Sequence, residues 1–236
     1  MEVKTMTNTA VAPPTRILLL TTSPTGESGL MRYATALAEA RRGCITVLQL
    51  AGSDKGPVCP PNLMWERPAN AVSAVRVTAY RLGSRSDDSI RAFAASAPHN
   101  FWLMNGTVDD EETLRWAALA ADHGATTAVA RQPVRTTIRS VLLTAMDGPD
   151  CLEALRIGGD LSRAWGAAGE VVRVVSRETA NGGSTVFRRL RRQEYDATQL
   201  QLDAAGVRHP IRLLTHDDTA SAVIGQSPLH DLLVLG

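Results

Sequence analysis

Residues 139–176 read RSVLLTAMDGPDCLEALRIGGDLSRAWGAAGEVVRVVS, and residues 16–50 read RILLLTTSPTGESGLMRYATALAEARRGCITVLQL. The two stretches follow one plan. Each opens with an apolar run of strand length, 17–20 or 141–143, followed by Thr21 or Thr144. Each passes through a polar turn containing Gly and Pro into a helical pattern. That pattern carries Leu30-Met31-Arg32 in one copy and Ala154-Leu155-Arg156 in the other, with Leu37 and Leu161 further along. Each closes in an apolar, β-branched run, 45–50 or 171–175. Leu30, Ala34, Leu37 and Ala38 stand at i, i+4, i+7 and i+8, one stripe on a helix of 3.6 residues per turn. Gly158 and Gly159 weaken the second helix, which predicts a close approach to the sheet. The strands are apolar without alternation, as expected of a parallel sheet covered on both faces.

The correspondence extends outward. Third strands are predicted at 75–80 and 211–215, with short helices at about 86–97 and 217–226. PHNFWLMNG (98–106) then matches PLHDLLVLG (228–236), pairing His99 with His230 and Asn100 with Asp231 as surface turn residues. The first copy continues. Thr107 and Asp110 form a capping box, and a helix runs to about His123 with Leu114, Ala117, Ala118 and Ala121 on one face. Gly124 ends it, and 126–130 is a fifth strand. The second copy stops at its fourth strand. Residues 52–70 hold four prolines and read as loop, where the second copy has a helix over 184–205 preceded by a flexible NGGS turn.

Alternating strands and helices imply right-handed crossovers. The expected fold class is therefore α/β, with two doubly wound parallel-sheet units, each with helices on both faces. The predicted domains are a flexible tail over 1–14, a first domain over 15–134, and a second over 137–236, truncated at its fourth strand.

Composition narrows the function. The chain has 236 residues, 44% hydrophobic and 21% charged, enough apolar residue to build a core. A net charge of +1 gives no global attraction to nucleic acid or to an anionic membrane. No apolar run approaches the ~18 residues that span a bilayer, so no membrane insertion is expected. The N-terminus lacks a basic start and apolar stretch, so it does not read as a secretory signal. Cys44, Cys59 and Cys151 are odd in number and lack CxxC spacing, which argues against a disulfide framework or zinc site. A cytoplasmic protein with reduced thiols is the expectation. Trp65, Trp102, Trp116 and Trp165 read as core or interface anchors.

The order of elements, ending in HDLLVLG, resembles the universal stress protein family. The matching places are Val141-Leu142-Leu143 with Asp147-Gly148, and Asp231-Leu232-Leu233-Val234-Leu235-Gly236. The first copy matches more weakly, with Ser23-Pro24 at the Asp-Gly place. The resemblance covers about 220 residues as a degenerate tandem pair. It implies the family's fold and a stress-response or regulatory role. Many members bind ATP through spaced glycines after the fourth strand. Here Asn105-Gly106-Thr107-Val108-Asp109-Asp110-Glu111-Glu112 keeps the first glycine, loses the others, and puts four acids near the phosphate place. The resemblance assigns cofactor binding to Asp147 and Gly148, with Asp147 accepting from an adenine or ribose. The competing reading makes Asp147 the cap of a helix beginning near Pro149.

The remaining motifs read as structure. Residues 23–29 lack the Gly-Lys-Ser/Thr ending of a phosphate loop and read as a capping turn. Arg188, Arg189, Arg191 and Arg192 read as a solvated or partner-facing helix. His216-Asp217-Asp218 reads as a turn with a helix cap. No HExxH or nucleophile elbow is present, so no catalytic residue, metal or obligate cofactor is expected. The leading expectation is a non-enzymatic stress-protein-like module acting through dimerisation or protein contacts, as a homodimer through the sheet edge at 230–235. The alternatives are an ATP- or AMP-binding sensor using the second domain, and a cytosolic regulatory domain of an amino-acid or cation-chloride transporter.

Overall fold

The computed structural model describes residues 14–22, 28–50, 75–83, 85–106, 110–130, 137–176 and 184–236. The expectations placed on 1–13, on Ser23 to Gly26, on Cys59 and Trp65 in the proline-rich stretch, on Thr107 and on 181–183 lie outside the described residues.

The first sheet contains β1 (Arg16–Thr21), β2 (Cys44–Leu50), β3 (Arg76–Leu82), β4 (Phe101–Asn105) and β5 (Thr126–Ala130). Its helices are α1 (Ser28–Ala40), α2 (Asp87–Ser96) and α3 (Glu111–Asp122). The strands are all parallel, in the order β3-β2-β1-β4-β5. The second sheet contains β6 (Ser140–Thr144), β7 (Ala168–Val175), β8 (Ile211–Thr215) and β9 (Leu232–Val234), with helices α4 (Cys151–Trp165), α5 (Ser184–Ala205) and α6 (Thr219–Gln226). It is parallel too, in the order β8-β7-β6-β9, the order of the first four strands of the first sheet. The chain is thus α/β with two parallel sheets, and the order reverses beside β1 and beside β6.

Burial explains the strand composition. Ile17, Leu18, Leu19 and Leu20 are all fully buried. Ile17 and Leu19 face the α1 side with Leu30, Ala34 and Leu37. Leu18 and Leu20 face the other side with Ile90, Trp102 and Trp116. Each buried aliphatic side chain contributes roughly 1.5–3 kcal/mol, so a strand covered on both faces has no position for a polar residue. Val141 and Leu143 repeat the arrangement in β6. Gly158 and Gly159 bring α4 close to its neighbours as expected: a Cβ at Gly158 would overlap the Leu143 side chain, and one at Gly159 would stand 2.6 Å from Val207.

Two expectations are corrected. The cap of α3 is Asp110, whose carboxylate accepts from the Glu112 N–H at 3.2 Å. The helix starts at Glu111, where the capping-box reading had it beginning just after Thr107. Its buried face is Thr113, Trp116, Leu119 and Ala120, while Leu114 is exposed. Burying Trp116 with Leu119 removes more apolar surface than burying Leu114 with three alanines, so the stripe rotates.

The turn residues before β4 and β9 serve a shared purpose. Asn100 Oδ1 accepts the Arg16 N–H at 2.7 Å. Asp231 Oδ2 accepts the Arg139 and Ser140 N–H groups at 2.8 and 3.2 Å. Each ties the entry of a central strand to the strand beside it.

The two sheets meet through equivalent helices. Ile157 and Leu161 of α4 join the core formed by α1 and β1. Tyr33 and Trp165 make an edge-to-face pair with centroids 5.2 Å apart. At the other end of this seam Arg41 Nε donates to Asp160 Oδ2 at 2.6 Å and Arg41 Nη1 to Glu153 Oε1 at 2.9 Å.

Candidate functional site

The candidate site lies at the carboxyl end of β6 and β7, beside the order reversal where doubly wound sheets take ligands. The loop after β6 presents Asp147 and Gly148. Arg173 sits near the end of β7, inside the apolar run Val171-Val172-Arg173-Val174-Val175. An arginine there must find acceptors, and it finds three. Its Nη2 donates to Asp147 Oδ2 at 2.8 Å, its Nε to Glu194 Oε2 of α5 at 3.0 Å, and its Nη1 to the Ala145 carbonyl at 3.3 Å.

The pair is unequally buried: the Arg173 side chain is 12% exposed and that of Asp147 83%. The hydrogen bond from Arg173, aided by its charge and opposed by slight burial, holds the Asp147 carboxyl below the usual aspartate value. Burial works to lower the Arg173 pKa, but the bonds and charges of Asp147 and Glu194 outweigh it and raise the guanidinium above its ordinary value.

The cap reading of Asp147 is thereby revised, since α4 begins at Cys151 after Asp150. Arg173 holds Oδ2, while the side chain stays largely exposed. Gly148 has open space where a Cβ would stand. Arg173 and Glu194 were missed from the sequence, although a lone charge inside a β-branched run was the available signal.

After β4 the described residues are acidic and tightly packed. Gly106 packs against Thr113, whose hydroxyl would be overlapped by a Cβ there. The Thr113 hydroxyl donates to Asp110 Oδ2 at 2.8 Å. The α3 N-terminus is thus filled by a carboxylate of its own chain, with Glu111 and Glu112 in the first turn. Helix N-termini attract anions, and this one already has three.

The histidine clusters read as structure. Asp218 caps α6, accepting from the Ala220 N–H at 3.0 Å, and its own N–H donates to His216 Nδ1 at 3.0 Å. His99 is buried and stacked on Phe93, with Nδ1 lacking a partner. His230 Nδ1 lies 3.2 Å from the Gln226 carbonyl, and its Nε2 is 3.5 Å from Glu170. Among the described residues no group of three His, Cys, Asp or Glu gathers as metal ligands. Arg188, Arg189, Arg191 and Arg192 are exposed on α5. No helix among the described residues is long and apolar enough to cross a membrane.

The arrangement defines an α/β protein of two parallel sheets, with an Arg173–Asp147 ion pair at the carboxyl end of the second. No protein-family model and no curated protein matches the sequence. Among solved structures, a functionally unknown protein from Pseudomonas aeruginosa PAO1 aligns with a TM-score of 0.56 at 10% identity, covering 93% of this chain and 79% of that one. A universal stress protein from Archaeoglobus fulgidus DSM 4304 aligns with a TM-score of 0.49 at 12% identity, covering 91% and 83%. At these identities the likeness concerns the fold alone.

Proposed function

We propose that the chain is a universal-stress-protein-like regulatory module without catalytic machinery, built as two units over 15–134 and 137–236 and acting through protein contacts in the cytoplasm. The contact assigned to it is homodimerisation along β9. One observation carries this reading. Among the described residues β9 pairs with β6 alone, whereas β4, its counterpart, carries β5 on the same side. An open strand edge is a template for pairing with another chain. Beside it Leu229 is 69% exposed and Leu235 58%, more apolar surface than a solvated edge needs. Antiparallel pairing of two β9 strands would close a two-fold dimer.

Light scattering across a concentration series tests it. A dimer is expected, and the double substitution Leu229→Glu with Leu235→Glu should shift it to monomer, since both side chains are exposed and tolerate charge in the isolated fold. A native protein that stays monomeric at high concentration refutes the reading.

The ATP- or AMP-sensing alternative uses the exposed Asp147 carboxylate, and calorimetric titration with ATP, repeated on Asp147→Ala, tests it: no heat with the native chain rejects it. The transporter-domain alternative shares the same supports and is distinguished by a longer reading frame with spanning helices.

A further inference from the structure

We propose that the amino-terminal half of α5 docks a short acidic segment of a partner protein, through Arg188, Arg189 and Arg192. The inference rests on the reading that this module works by protein contacts, and it adds a second surface, away from β9.

Geometry places Arg188 and Arg189 at the carboxyl end of the sheet. Glu194 of α5 bonds Arg173, two residues before the end of β7. From Glu194 back to Ser184 the helix extends about 15 Å at 1.5 Å per residue. The strand continues only about 7 Å past Arg173. Arg188 and Arg189 lie about 9 and 7.5 Å back from Glu194 and so stand level with the carboxyl end of the second sheet, Arg192 about one turn inward, while the other half of α5 is anchored in the core by Leu202.

Charge then selects the partner. Arg188, Arg189, Arg191 and Arg192 are all exposed. Among the described residues Arg188 and Arg189 make no ion pair, and Arg192 meets Asp196 only at 3.9 Å with both side chains in solvent. No acidic residue stands in the first turn of α5, whereas α2 and α3 carry two each. The patch spans only about 6 Å of helix. Glu194 and Asp196 follow within a turn, and the whole chain carries only +1, so the positive field is confined to one face. A long polyanion needs many phosphate contacts. Two carboxylates on one face of an extended peptide, about 6.8 Å apart, match this length.

The test uses the full chain and fluorescein-labelled hexaglutamate, read by fluorescence anisotropy, with hexaglutamine as the neutral control. Binding is expected for hexaglutamate only, weakened by added salt and about tenfold weaker for Arg188→Glu with Arg189→Glu. The milder Arg188→Gln with Arg189→Gln should fall between, and circular dichroism confirms that both variants fold. Equal binding by the charge-reversed variant, binding insensitive to salt, or no binding by the native chain overturns the proposal. So does tighter binding of phosphatidylserine vesicles or single-stranded RNA than of the peptide. Mass measured on the same samples separates the two proposals: the arginine variants should stay dimeric, and a monomeric native chain that still binds hexaglutamate would count against the β9 dimer alone.

Discussion

Removing the Arg41 side chain should loosen the seam between the two sheets, and the structure sets the size of the effect. Arg41 is 19% exposed, and its partners Asp160 and Glu153 are 17% and 28% exposed. Breaking a fully buried ion pair costs about 3–5 kcal/mol, because the remaining charge is stranded. Breaking an exposed one costs at most about 1 kcal/mol. This site lies between. Asp160 keeps Arg163 at 3.0 Å and Glu153 keeps Arg156 at 3.6 Å, so neither carboxylate is left alone. Arg41→Ala should therefore cost about 2 kcal/mol. Urea denaturation followed by circular dichroism at pH 7 would read this as a midpoint lowered by roughly 1 M. Arg41→Lys keeps the charge but not the forked geometry and should recover only part of the loss. A double-mutant cycle with Asp160→Asn should give a coupling above about 1 kcal/mol. A loss under about 0.5 kcal/mol for Arg41→Ala, or zero coupling, would refute the claim that this pair fastens the seam.

Two further outcomes follow from local chemistry. Burial, with the Arg16 charge added, lowers the His99 pKa from 6.5 to about 4. The unfolded chain therefore takes up the proton first, and stability should fall as pH drops from about 6.5 to about 4, by roughly 2–3 kcal/mol in all. Equilibrium unfolding from pH 7 to 4 measures this, and His99→Gln should flatten that stretch of the profile. Arg42, at the end of α1, has φ of +51°, the left-handed region that favours glycine. Arg42→Gly should raise stability by about 1 kcal/mol in thermal melts, and a lower melting temperature would contradict that account.

The parts of the fold legible in the sequence were those set by local patterning. The run of Ile17 with three leucines could only be a strand covered on both faces, and Gly158-Gly159 inside a helix required a close neighbour. Recognising the 16–50 and 139–176 segments as one plan gave two parallel sheets with alternating helices, as observed. What stayed hidden depended on partners distant along the chain. Asp147 reads from the sequence as a cap or a ligand group, and its bond to Arg173 emerges only from the pairing of β6 with β7. The rotated face of α3 was missed because counting apolar positions weighted alanines like a tryptophan. Asn100 and Asp231 looked like ordinary turn residues, since their acceptors serve N–H groups 84 to 92 positions away.

Tyr33 and Trp165 occupy places whose duplicates are Ile157 and Arg41, each 124 positions apart. The helix contact therefore joins like with like in backbone but not in side chains. A synthetic protein made of two first halves would set Arg41 against Ala36 and Gly29, the counterparts of Asp160 and Glu153. Such a twin would have no carboxylates to receive either guanidinium. The seam chemistry thus makes each half the specific complement of the other, and neither can be exchanged for a copy of its neighbour.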